Sequence, residues 1–235
     1  MADLLDVWRF EIKYGMTQLE ALSLIPKVAF ILPADKNNKG NEGYMIRSLY
    51  FDSMYDKDYQ AKEDGLEEHK KIRIRIYESG SNVAKLELKE KTGKWQRKRS
   101  LTITRDAAER LISMDYSPLL EFSDPLAVWL YNTMTLDMYR PRCIVQYNRT
   151  AFMLNANDIR ITFDSCIEAS ESNFDLFSDN IALYPAADPC VVVLEVKYNG
   201  FILSYISNTV SEANKSPISF SKYYMSRKYS RNPEV

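Results

Sequence analysis

The sequence has few of the residues that mark common catalytic or metal sites. It contains one histidine and three cysteines in 235 residues. Cys143, Cys166 and Cys190 lie far apart, without the spacing of a zinc site or a disulfide framework, which favours a reducing compartment. No apolar run approaches the ~20 residues needed to cross a bilayer, and the N-terminal residues lack the basic and apolar regions of a signal peptide. We therefore expect a cytoplasmic protein without a membrane segment.

The chain also lacks an excess of positive charge, since 31 basic residues are balanced by 32 acidic ones. Nucleic-acid-binding domains usually carry such an excess, and many of them stack bases on aromatic residues set among the basic ones. The aromatic residues of this sequence do not follow that pattern. We therefore expect no nucleic acid partner, and any cationic site must be local and offset by acidic residues elsewhere.

Glycine is scarce, with seven residues, whereas there are 16 tyrosines and 10 phenylalanines. Aromatic residues at this level favour β-strands. The two-residue alternation typical of a strand occurs in eight segments, which are Val7–Tyr14, Tyr44–Asp52, Lys70–Glu78, Ala84–Lys91, Trp95–Ile103, Cys143–Leu154, Ile159–Asp164 and Val191–Tyr198.

Helical patterns occupy other parts of the chain. The first runs from Met16 to Ile25, where Pro26 breaks or kinks it. The others are Thr104–Ser113, two helices between Ser117 and Tyr139 with Asp124 as the cap of the second, Phe201–Val210 and Ser219–Lys228. Together these patterns predict an α+β fold in a single domain, residues 1–235, with an eight-stranded antiparallel β-barrel and helices packed on its outside.

One face of the predicted strands is rich in cations. Because successive side chains of a strand point to opposite faces, Lys71, Arg73 and Arg75 share one face and the intervening isoleucines share the other. The same analysis adds Lys13, Arg47, Lys85, Lys89, Arg97, Arg99, Arg149, Arg160 and Lys197 to the cationic set. A half-exposed sheet explains any single strand of this kind, but if helices cover the apolar faces, the charged faces must point inward.

An interior lined by like charges is costly unless an anion fills it. Arginine and lysine are well suited to phosphate oxygens, so the pattern predicts a site for a nucleoside triphosphate or a polyphosphate chain. The few carboxylates in the same set are Glu11, Glu87, Asp164 and Glu195. They are candidate ligands for Mg²⁺ or Mn²⁺, which take one or two carboxylates together with phosphate oxygens, and Glu195 is the best single candidate. For Glu195, a salt bridge to a neighbouring arginine is an equally open interpretation.

A series of short motifs in this order resembles a known family. The motifs are Arg9-x-Glu11-x-Lys13-Tyr14, Leu49-Tyr50-Phe51-Asp52, Lys71-x-Arg73-x-Arg75-x-Tyr77, Lys85-x-Glu87-x-Lys89, Arg149-x-Ala151-Phe152, Arg160-x-Thr162-x-Asp164, Leu194-Glu195-Val196-Lys197 and Ser221-Lys222-Tyr223. They resemble the VTC (vacuolar transporter chaperone) polyphosphate polymerase domain in its compact bacterial, stand-alone form. That domain belongs to the triphosphate tunnel metalloenzymes, together with CYTH-type adenylate cyclases.

The resemblance implies transfer of the ATP γ-phosphate onto polyphosphate inside an eight-stranded tunnel, with Mn²⁺ or Mg²⁺ as cofactor and ATP and polyphosphate as partners. We expect the catalytic residues to be Arg73, Arg75, Lys89 and Arg160, and the metal ligands to be Glu195 and Glu11. The expected phosphate-binding residues are Lys13, Arg47, Lys71, Lys85, Arg97, Arg99, Arg149, Lys197 and Lys222, the last near a helix that would close one mouth of the tunnel.

Two alternatives remain open at this point. The same tunnel could serve a tripolyphosphatase or nucleoside triphosphatase, with water as the acceptor. Arg9 stands where the wider superfamily has a glutamate, which argues mildly against such a hydrolase. The chain could also be a non-catalytic polyphosphate- or nucleotide-binding module.

Overall fold

The structure is a computed structural model that describes residues 9–40, 43–93 and 95–231. The predicted start of the first strand at Val7 lies outside these residues. The strands are β1 (Arg9–Thr17), β2 (Tyr44–Asp52), β3 (Glu68–Ile76), β4 (Val83–Thr92), β5 (Trp95–Thr104), β6 (Arg140–Leu154), β7 (Ile159–Ser170), β8 (Tyr184–Pro185) and β9 (Val191–Asn199). The α-helices are α1 (Gln18–Ile31), α2 (Lys57–Glu63), α3 (Arg105–Ile112), α4 (Pro125–Leu136), α5 (Ser204–Ser211) and α6 (Lys222–Arg231).

The described strands form one nine-stranded sheet in the order β1-β9-β7-β6-β2-β3-β4-β5, with β8 paired to β7. The pairs β1–β9, β2–β3, β3–β4, β4–β5 and β7–β9 are antiparallel. The α+β class and the eight predicted strands are therefore confirmed. The prediction missed β8, which has only two residues and is too short to show an alternation.

The described chain divides into two compact units. The first unit contains the residues up to Met45, Tyr147–Ile167 and Ala187–Phe220, and the second contains Ile46–Gln146, Glu168–Ala186 and the residues from Ser221 onward. Strands β2, β6 and β7 contribute residues to both units.

Each unit has its own hydrophobic core on one face of its strands. In the first unit, α1 and α5 pack on the apolar face of β7 and β9 through residues such as Leu24 and Val210. In the second unit, α3 and α4 pack on the apolar face of β3, β4 and β5, where Ile72, Ile74 and Leu86 are fully buried. Helices thus cover the apolar faces, as predicted, and the charged residues lie on the opposite faces of the same strands.

Local sequence explains most helix boundaries. Thr17 and Glu20 form a capping box at the start of α1, Thr104 caps α3, and Asp124 caps α4 with Pro125 in its first turn, the last two as predicted. The predicted end of the first helix at Ile25 is wrong, because α1 continues through Pro26 to Ile31. Pro26 is exposed, so water can satisfy the one carbonyl that loses its partner.

Helix α2 was not predicted, and its first turn is stabilised by Asp52, a residue of the preceding strand. Its N-cap residue, Asp56, makes no side-chain capping bond. Instead, the carboxylate of Asp52 at the end of β2 accepts the backbone N–H groups of Asp58 and Tyr59, at 3.0 and 2.9 Å. None of the helices in the described ranges combines the length and apolar character needed to cross a bilayer.

Candidate functional site

The second unit carries a concentrated positive charge on the polar face of β3, β4 and β5. Antiparallel pairing places Lys71 opposite Lys89, Arg73 opposite Glu87, and Arg75 opposite Lys85. Strand β5 adds Lys98 opposite Lys89. We call the part of this surface formed by the segments Lys71–Arg75, Lys85–Lys89 and Lys98–Thr102 the cationic face. Its cations are Lys71, Arg73, Arg75, Lys85, Lys89 and Lys98. Over these described segments, six cations and one carboxylate leave a net charge of +5.

Glu87 is the carboxylate that organises the cationic face. Its Oε2 lies 2.7 Å from Nε and 2.6 Å from Nη2 of Arg73, while its Oε1 accepts a hydrogen bond of 2.9 Å from Lys98. Desolvation of this buried carboxyl would raise its pKa, but the charges of Arg73, Arg75 and Lys98 outweigh that effect and hold the pKa well below its ordinary value. Glu87 is therefore ionised at neutral pH.

Strand β2 supplies the hydroxyl groups that orient the two buried arginines. Nη1 of Arg73 donates to the hydroxyl of Tyr50 at 2.9 Å, and Nε of Arg75 donates to Oγ of Ser48 at 3.1 Å. Both arginines are only 7% exposed. Two guanidinium groups held this firmly can meet phosphate oxygens without first losing rotamer freedom.

The lysines of the cationic face are more accessible than the arginines. Lys71 is half-buried, and its Nζ donates to Oγ of Ser221, just before α6, at 2.9 Å. Lys222 is the first residue of α6 and is half-buried as well. Lys85 is exposed and donates to Thr102 across the β4–β5 pair. The predicted residues Lys71, Lys85 and Lys89 thus share the face of Arg73 and Arg75. Lys222 directly follows Ser221, the residue that Lys71 contacts.

The predicted faces of Arg97 and Arg99 are wrong. Strand register pairs Arg97 with Glu90 and Arg99 with Leu88, so both side chains lie on the opposite face from Arg73. Arg99 forms an ion pair of 3.0 Å with Glu90 and lies over the ring of Trp129 in α4. Cations alternate on both faces of β5, and only the pairing with β4 shows that Lys98, rather than its two neighbours, belongs to the cationic face.

Arg47 also lies on the other face of the sheet, contrary to prediction. It pairs with Ile76 of β3 and is 5% exposed. Its guanidinium donates to Gln146 at 2.8 Å and to the carbonyls of Leu176 and Ser178 at 3.0 and 2.6 Å. These contacts make Arg47 an anchor for the segment around residues 176–178. Its single position in an alternating strand gave no indication of this role.

The first unit has a different electrostatic character on its polar face. Pairing places Glu11 opposite Lys197 and Lys13 opposite Glu195, while β7 sets Thr162 opposite Glu195. We call this surface the mixed-charge face. Over the described segments Glu11–Lys13, Arg160–Asp164 and Glu195–Lys197 it carries three cations and three carboxylates, which are Lys13, Arg160, Lys197, Glu11, Asp164 and Glu195.

The ions of the mixed-charge face are closely paired. Nζ of Lys197 lies 2.5 Å from Glu195 and 3.4 Å from Glu11, and Nζ of Lys13 lies 3.2 Å from Glu11. Desolvation would lower the pKa of Lys13, but the nearby carboxylates of Glu195 and Glu11 outweigh it, and the pKa is raised. Glu195 is therefore in a salt bridge with a lysine, Lys197, whereas the sequence left open one with an arginine.

Two predicted arginines of the first unit also have carboxylate partners. Arg149 forms a bidentate pair with Asp164, with N–O distances of 2.6 and 2.7 Å, and the pair is almost completely buried. Arg160 donates from Nη2 to Asp35 at 2.9 Å and to the hydroxyl of Tyr44 at 3.0 Å. Its buried Nε has no hydrogen-bond partner among the described residues, which leaves one donor for a ligand.

The mixed-charge face contains one buried hydroxyl without a hydrogen-bond partner among the described residues, that of Thr162. Its side chain is 2% exposed, and its buried hydroxyl makes no hydrogen bond within the described part of the chain. A buried hydroxyl without a partner costs stability. Its position opposite Glu195 offers a hard oxygen beside a carboxylate, the ligand type that Mg²⁺ and Mn²⁺ prefer.

The residues present fit a metal that brings further ligands with it. In the described ranges, no group of three or more His, Cys, Asp or Glu side chains is placed to hold a metal ion. Glu195, Glu11 and the Thr162 hydroxyl could supply only part of a coordination shell. Phosphate oxygens and water would have to complete the shell, which is the usual arrangement for Mg²⁺ with a nucleotide.

Comparison with known proteins gives a family match. The model of the family described as VTC domain matches residues 8–231. No curated protein matches the chain.

Solved structures show the same fold at low sequence identity. A candidate adenylate cyclase from Bacillus halodurans is 13% identical with a TM-score of 0.53, over 95% of this chain and 98% of that one. A candidate adenylyl cyclase from Hippeastrum, described as having a dominant triphosphatase activity, is 11% identical with a TM-score of 0.56, over 93% and 94%. A candidate adenylate cyclase from Vibrio parahaemolyticus is 11% identical with a TM-score of 0.50, over 93% and 97%.

Proposed function

Because the chain belongs to the VTC domain family, we propose that it is a polyphosphate polymerase that transfers the γ-phosphate of ATP onto a polyphosphate chain. We further propose that the eight strands other than β8 close into the eight-stranded tunnel implied by the family resemblance, so that residues 1–235 act as one domain. The reaction would use a divalent metal, Mn²⁺ or Mg²⁺.

The cationic face is the observation that carries this proposal. Its six cations exceed what Glu87 can offset, which leaves a net charge of +5, and Arg73 and Arg75 are buried. A face of this charge stabilises a partner with several adjacent negative charges. Linear phosphate chains have this property, and planar guanidinium groups match their oxygens.

The proposed step requires little covalent chemistry from the protein. A terminal oxygen of the polyphosphate attacks the γ-phosphorus of ATP, the bond from that phosphorus to the β–γ bridging oxygen breaks, and ADP leaves with the electron pair. The attacking oxygen is already anionic near neutral pH, because comparable phosphates have a second pKa of about 6. No general base is needed, and the residues must only align the reactants and neutralise charge.

Apart from Arg47, Arg97 and Arg99, which lie on the opposite face of the sheet, each predicted site residue has a proposed role in this scheme. Arg73, Arg75 and Lys89 would neutralise the transferred phosphoryl group, and Arg160 would use its remaining Nε donor. Lys71, Lys85, Lys98 and Lys222 would hold the phosphate chain, while Lys13, Arg149 and Lys197, which pair with carboxylates of the first unit, would bind phosphate oxygens with their remaining N–H groups. Glu195, Glu11 and Thr162 would hold the metal, which when bound reduces the negative charge of the phosphate oxygens.

A triphosphatase is the second candidate function. The solved structure from Hippeastrum belongs to a protein described as having a dominant triphosphatase activity. The same cationic face could bind tripolyphosphate or ATP while water attacks the terminal phosphorus and inorganic phosphate leaves. The two functions differ only in the acceptor, so analysis of the products separates them.

The test is an assay of the purified chain with ATP and Mn²⁺ or Mg²⁺. We expect long polyphosphate as product, with kcat reduced about a hundredfold or more in Arg73→Ala and a comparable loss in Glu195→Gln. Arg110→Ala is the control, because Arg110 is exposed and pairs with Asp115 on the surface. Free phosphate without long chains would support the triphosphatase, and full activity in both site variants would refute both functions.

A further inference from the structure

Strand β2 meets the cationic face with three alternate residues, two of which have been described. Ser48 orients Arg75 and Tyr50 orients Arg73. The third residue in this series is Asp52, at the end of the strand, and it lies on the same face of β2 because side chains alternate. Asp52 is completely buried.

The carboxylate of Asp52 is saturated by hydrogen bonds. Its Oδ1 accepts the backbone N–H groups of Ser53 and Asp58, at 2.7 and 3.0 Å. Its Oδ2 accepts the N–H group of Tyr59 at 2.9 Å and the hydroxyl of Tyr223 at 2.5 Å. A buried carboxylate requires such partners. The backbone donors fix Asp52 to the start of α2. From α6 come the Tyr223 hydroxyl and, as an ion pair at 4.0 Å, the guanidinium of Arg227.

Tyr223 links Asp52 to Arg73. Its side chain is 1% exposed, and its ring stacks on the ring of Tyr50, with centroids 5.1 Å apart. Tyr50 in turn accepts the hydrogen bond from Arg73, whose guanidinium lies over the same ring. The position of Tyr223 therefore determines the position of the tyrosine that orients Arg73.

Tyr223 also sets the first turn of α6 beside the cationic face. Ser221 lies two residues earlier, accepts the hydrogen bond from Lys71 at 2.9 Å and accepts the N–H group of Tyr224 at 3.3 Å. One turn further along, Arg227 donates to Asp56 at 2.7 Å and to the Tyr223 hydroxyl at 2.9 Å. Helix α6 is thus attached through Tyr223 to Asp52 at the end of β2, and through Arg227 to Asp56 at the start of α2. Arg227 also donates to the Tyr223 hydroxyl, which connects the two attachments.

We propose that Asp52, acting through the Tyr223 hydroxyl, is a positioning residue that holds Arg73 and the first turn of α6 in place to bind phosphate. The inference rests on the proposed function, since it requires that the cationic face binds a phosphate chain. It assigns a role to Asp52 and Tyr223, which belong to the Leu49–Asp52 and Ser221–Tyr223 motifs. The proposed function gives neither residue a direct contact with the ligand.

The experiment compares two variants that each lose one buried tyrosine hydroxyl. Tyr223→Phe removes the bond to Asp52 and keeps the stacked ring. Tyr116→Phe is the matched control, because the Tyr116 hydroxyl is buried and donates to the carbonyl of Tyr139, away from α6. The measurements are the dissociation constant for tripolyphosphate, KM and kcat with ATP, the melting temperature, and hydrogen exchange of the α6 amides.

We expect Tyr223→Phe to bind tripolyphosphate roughly tenfold more weakly, which corresponds to about 1.4 kcal/mol. Its KM should rise more than its kcat falls, and the α6 amides should exchange faster. Tyr116→Phe should lose a similar amount of thermal stability with no change in tripolyphosphate affinity. Asp52→Asn provides a second variant, with the same direction of change if it folds.

The outcomes separate this inference from the proposed function. Equal tripolyphosphate affinity in Tyr223→Phe and Tyr116→Phe would refute the positioning role while leaving the polymerase intact. A wild-type chain that binds tripolyphosphate without extending it would refute the polymerase, and the affinities would still decide the positioning role. A wild-type chain that binds no tripolyphosphate would refute both.

Discussion

Arg73 and Glu87 face each other across the β3–β4 pair, and two nitrogens of the guanidinium meet a single carboxylate oxygen, at 2.7 and 2.6 Å. The other oxygen of Glu87 is thereby available to Lys98. One carboxylate thus holds two cations of the cationic face in position and leaves the remaining charge of that face for a ligand.

Replacing Glu87 should destabilise the protein in a pH-dependent way. Glu87→Gln leaves buried Arg73 without its carboxylate, so we expect the free energy of unfolding at pH 7 to fall by about 3 kcal/mol. Because the pKa of Glu87 is lowered by folding, its contribution is present above its ordinary pKa of 4.5 and is lost as the pH falls below it. Urea unfolding of both proteins between pH 3 and 7 measures this difference.

Glu109→Gln is the control for the Glu87 variant, since Glu109 is exposed and pairs with Arg105 within one helix. Tripolyphosphate should restore part of the stability that Glu87→Gln loses, because a ligand that binds the folded state stabilises it by mass action. Equal stability of wild type and Glu87→Gln at pH 7 would show that Glu87 does not support the buried arginines.

Neighbouring cations of β5 should behave differently in binding. Lys98 lies on the cationic face and Arg97 on the opposite face, and both are exposed. We expect Lys98→Ala to weaken tripolyphosphate binding roughly fivefold, about 1 kcal/mol, and to reduce its salt dependence. Arg97→Ala should bind as wild type does. Calorimetric titration measures both, and a stronger effect of Arg97→Ala would contradict the observed register.

Removing the hydroxyl of Thr162 should affect the metal requirement more than the stability. Thr162→Val deletes a buried hydroxyl that has no hydrogen-bond partner in the described part of the chain, so we expect the free energy of unfolding to stay equal or rise by about 1 kcal/mol. The Mn²⁺ concentration for half-maximal activity should increase. Activity assays over a Mn²⁺ series measure it. Thr209→Val is the control, because Thr209 is half-buried and its hydroxyl donates only within α5, to the carbonyl of Tyr205. An unchanged Mn²⁺ requirement in Thr162→Val would exclude Thr162 as a ligand.

Asp58 should make the protein less stable as the pH rises. Burial raises the pKa of this carboxyl to about 6, against 3.8 ordinarily, and Lys70 at 3.4 Å only partly opposes the shift. The hydrogen bond from the Tyr139 hydroxyl at 2.9 Å also favours the ionised form but does not outweigh burial, so folding favours the protonated form. The resulting stabilisation, at most about 3 kcal/mol, is present at pH 4 and is lost as the pH rises through 6.

The measurement is the free energy of unfolding of wild type and Asp58→Asn from pH 4 to 7. Asparagine resembles the protonated carboxyl, so the advantage of the variant should grow over this range. Asp106→Asn, at an exposed position in the first turn of α3, should follow the wild-type curve. Parallel curves for wild type and Asp58→Asn would show that Asp58 titrates normally.

The strand and helix patterns were predicted well because they depend on local properties. The alternation in Lys71–Arg75 shows its cationic and apolar faces without any knowledge of the neighbouring strands. Thr104 and Asp124 predict the starts of α3 and α4 for the same reason, since a capping side chain accepts hydrogen bonds from backbone N–H groups two or three residues away. Helix α2 escaped prediction because Asp52 satisfies its start from the preceding strand.

The candidate site was predicted only in part, because alternation gives two faces but does not match them between strands. In β5, cations occupy consecutive positions, and a shift of one residue exchanges Lys98 for Arg97 and Arg99. The sequence of β2 predicts Arg47 as a ligand-binding cation, because its three acceptors, on Gln146, Leu176 and Ser178, lie about 100 or more residues away. The charge balance of each face was also hidden, since Asp35 and Asp164 reach their arginines from other segments.

The sequence by itself determined the α+β class, the strands, the concentration of cations on one face of them, and the family. These follow from side-chain periodicity and short motifs, which neighbouring residues are enough to specify. The tertiary structure decided which cations stand together, which carboxylates pair with them, and that Asp52 reaches Arg73 through Tyr223 and Tyr50. Such relations depend on strand register and on contacts between residues far apart in the chain, such as Asp52 and Tyr223, which are 171 positions apart, and no local pattern encodes them.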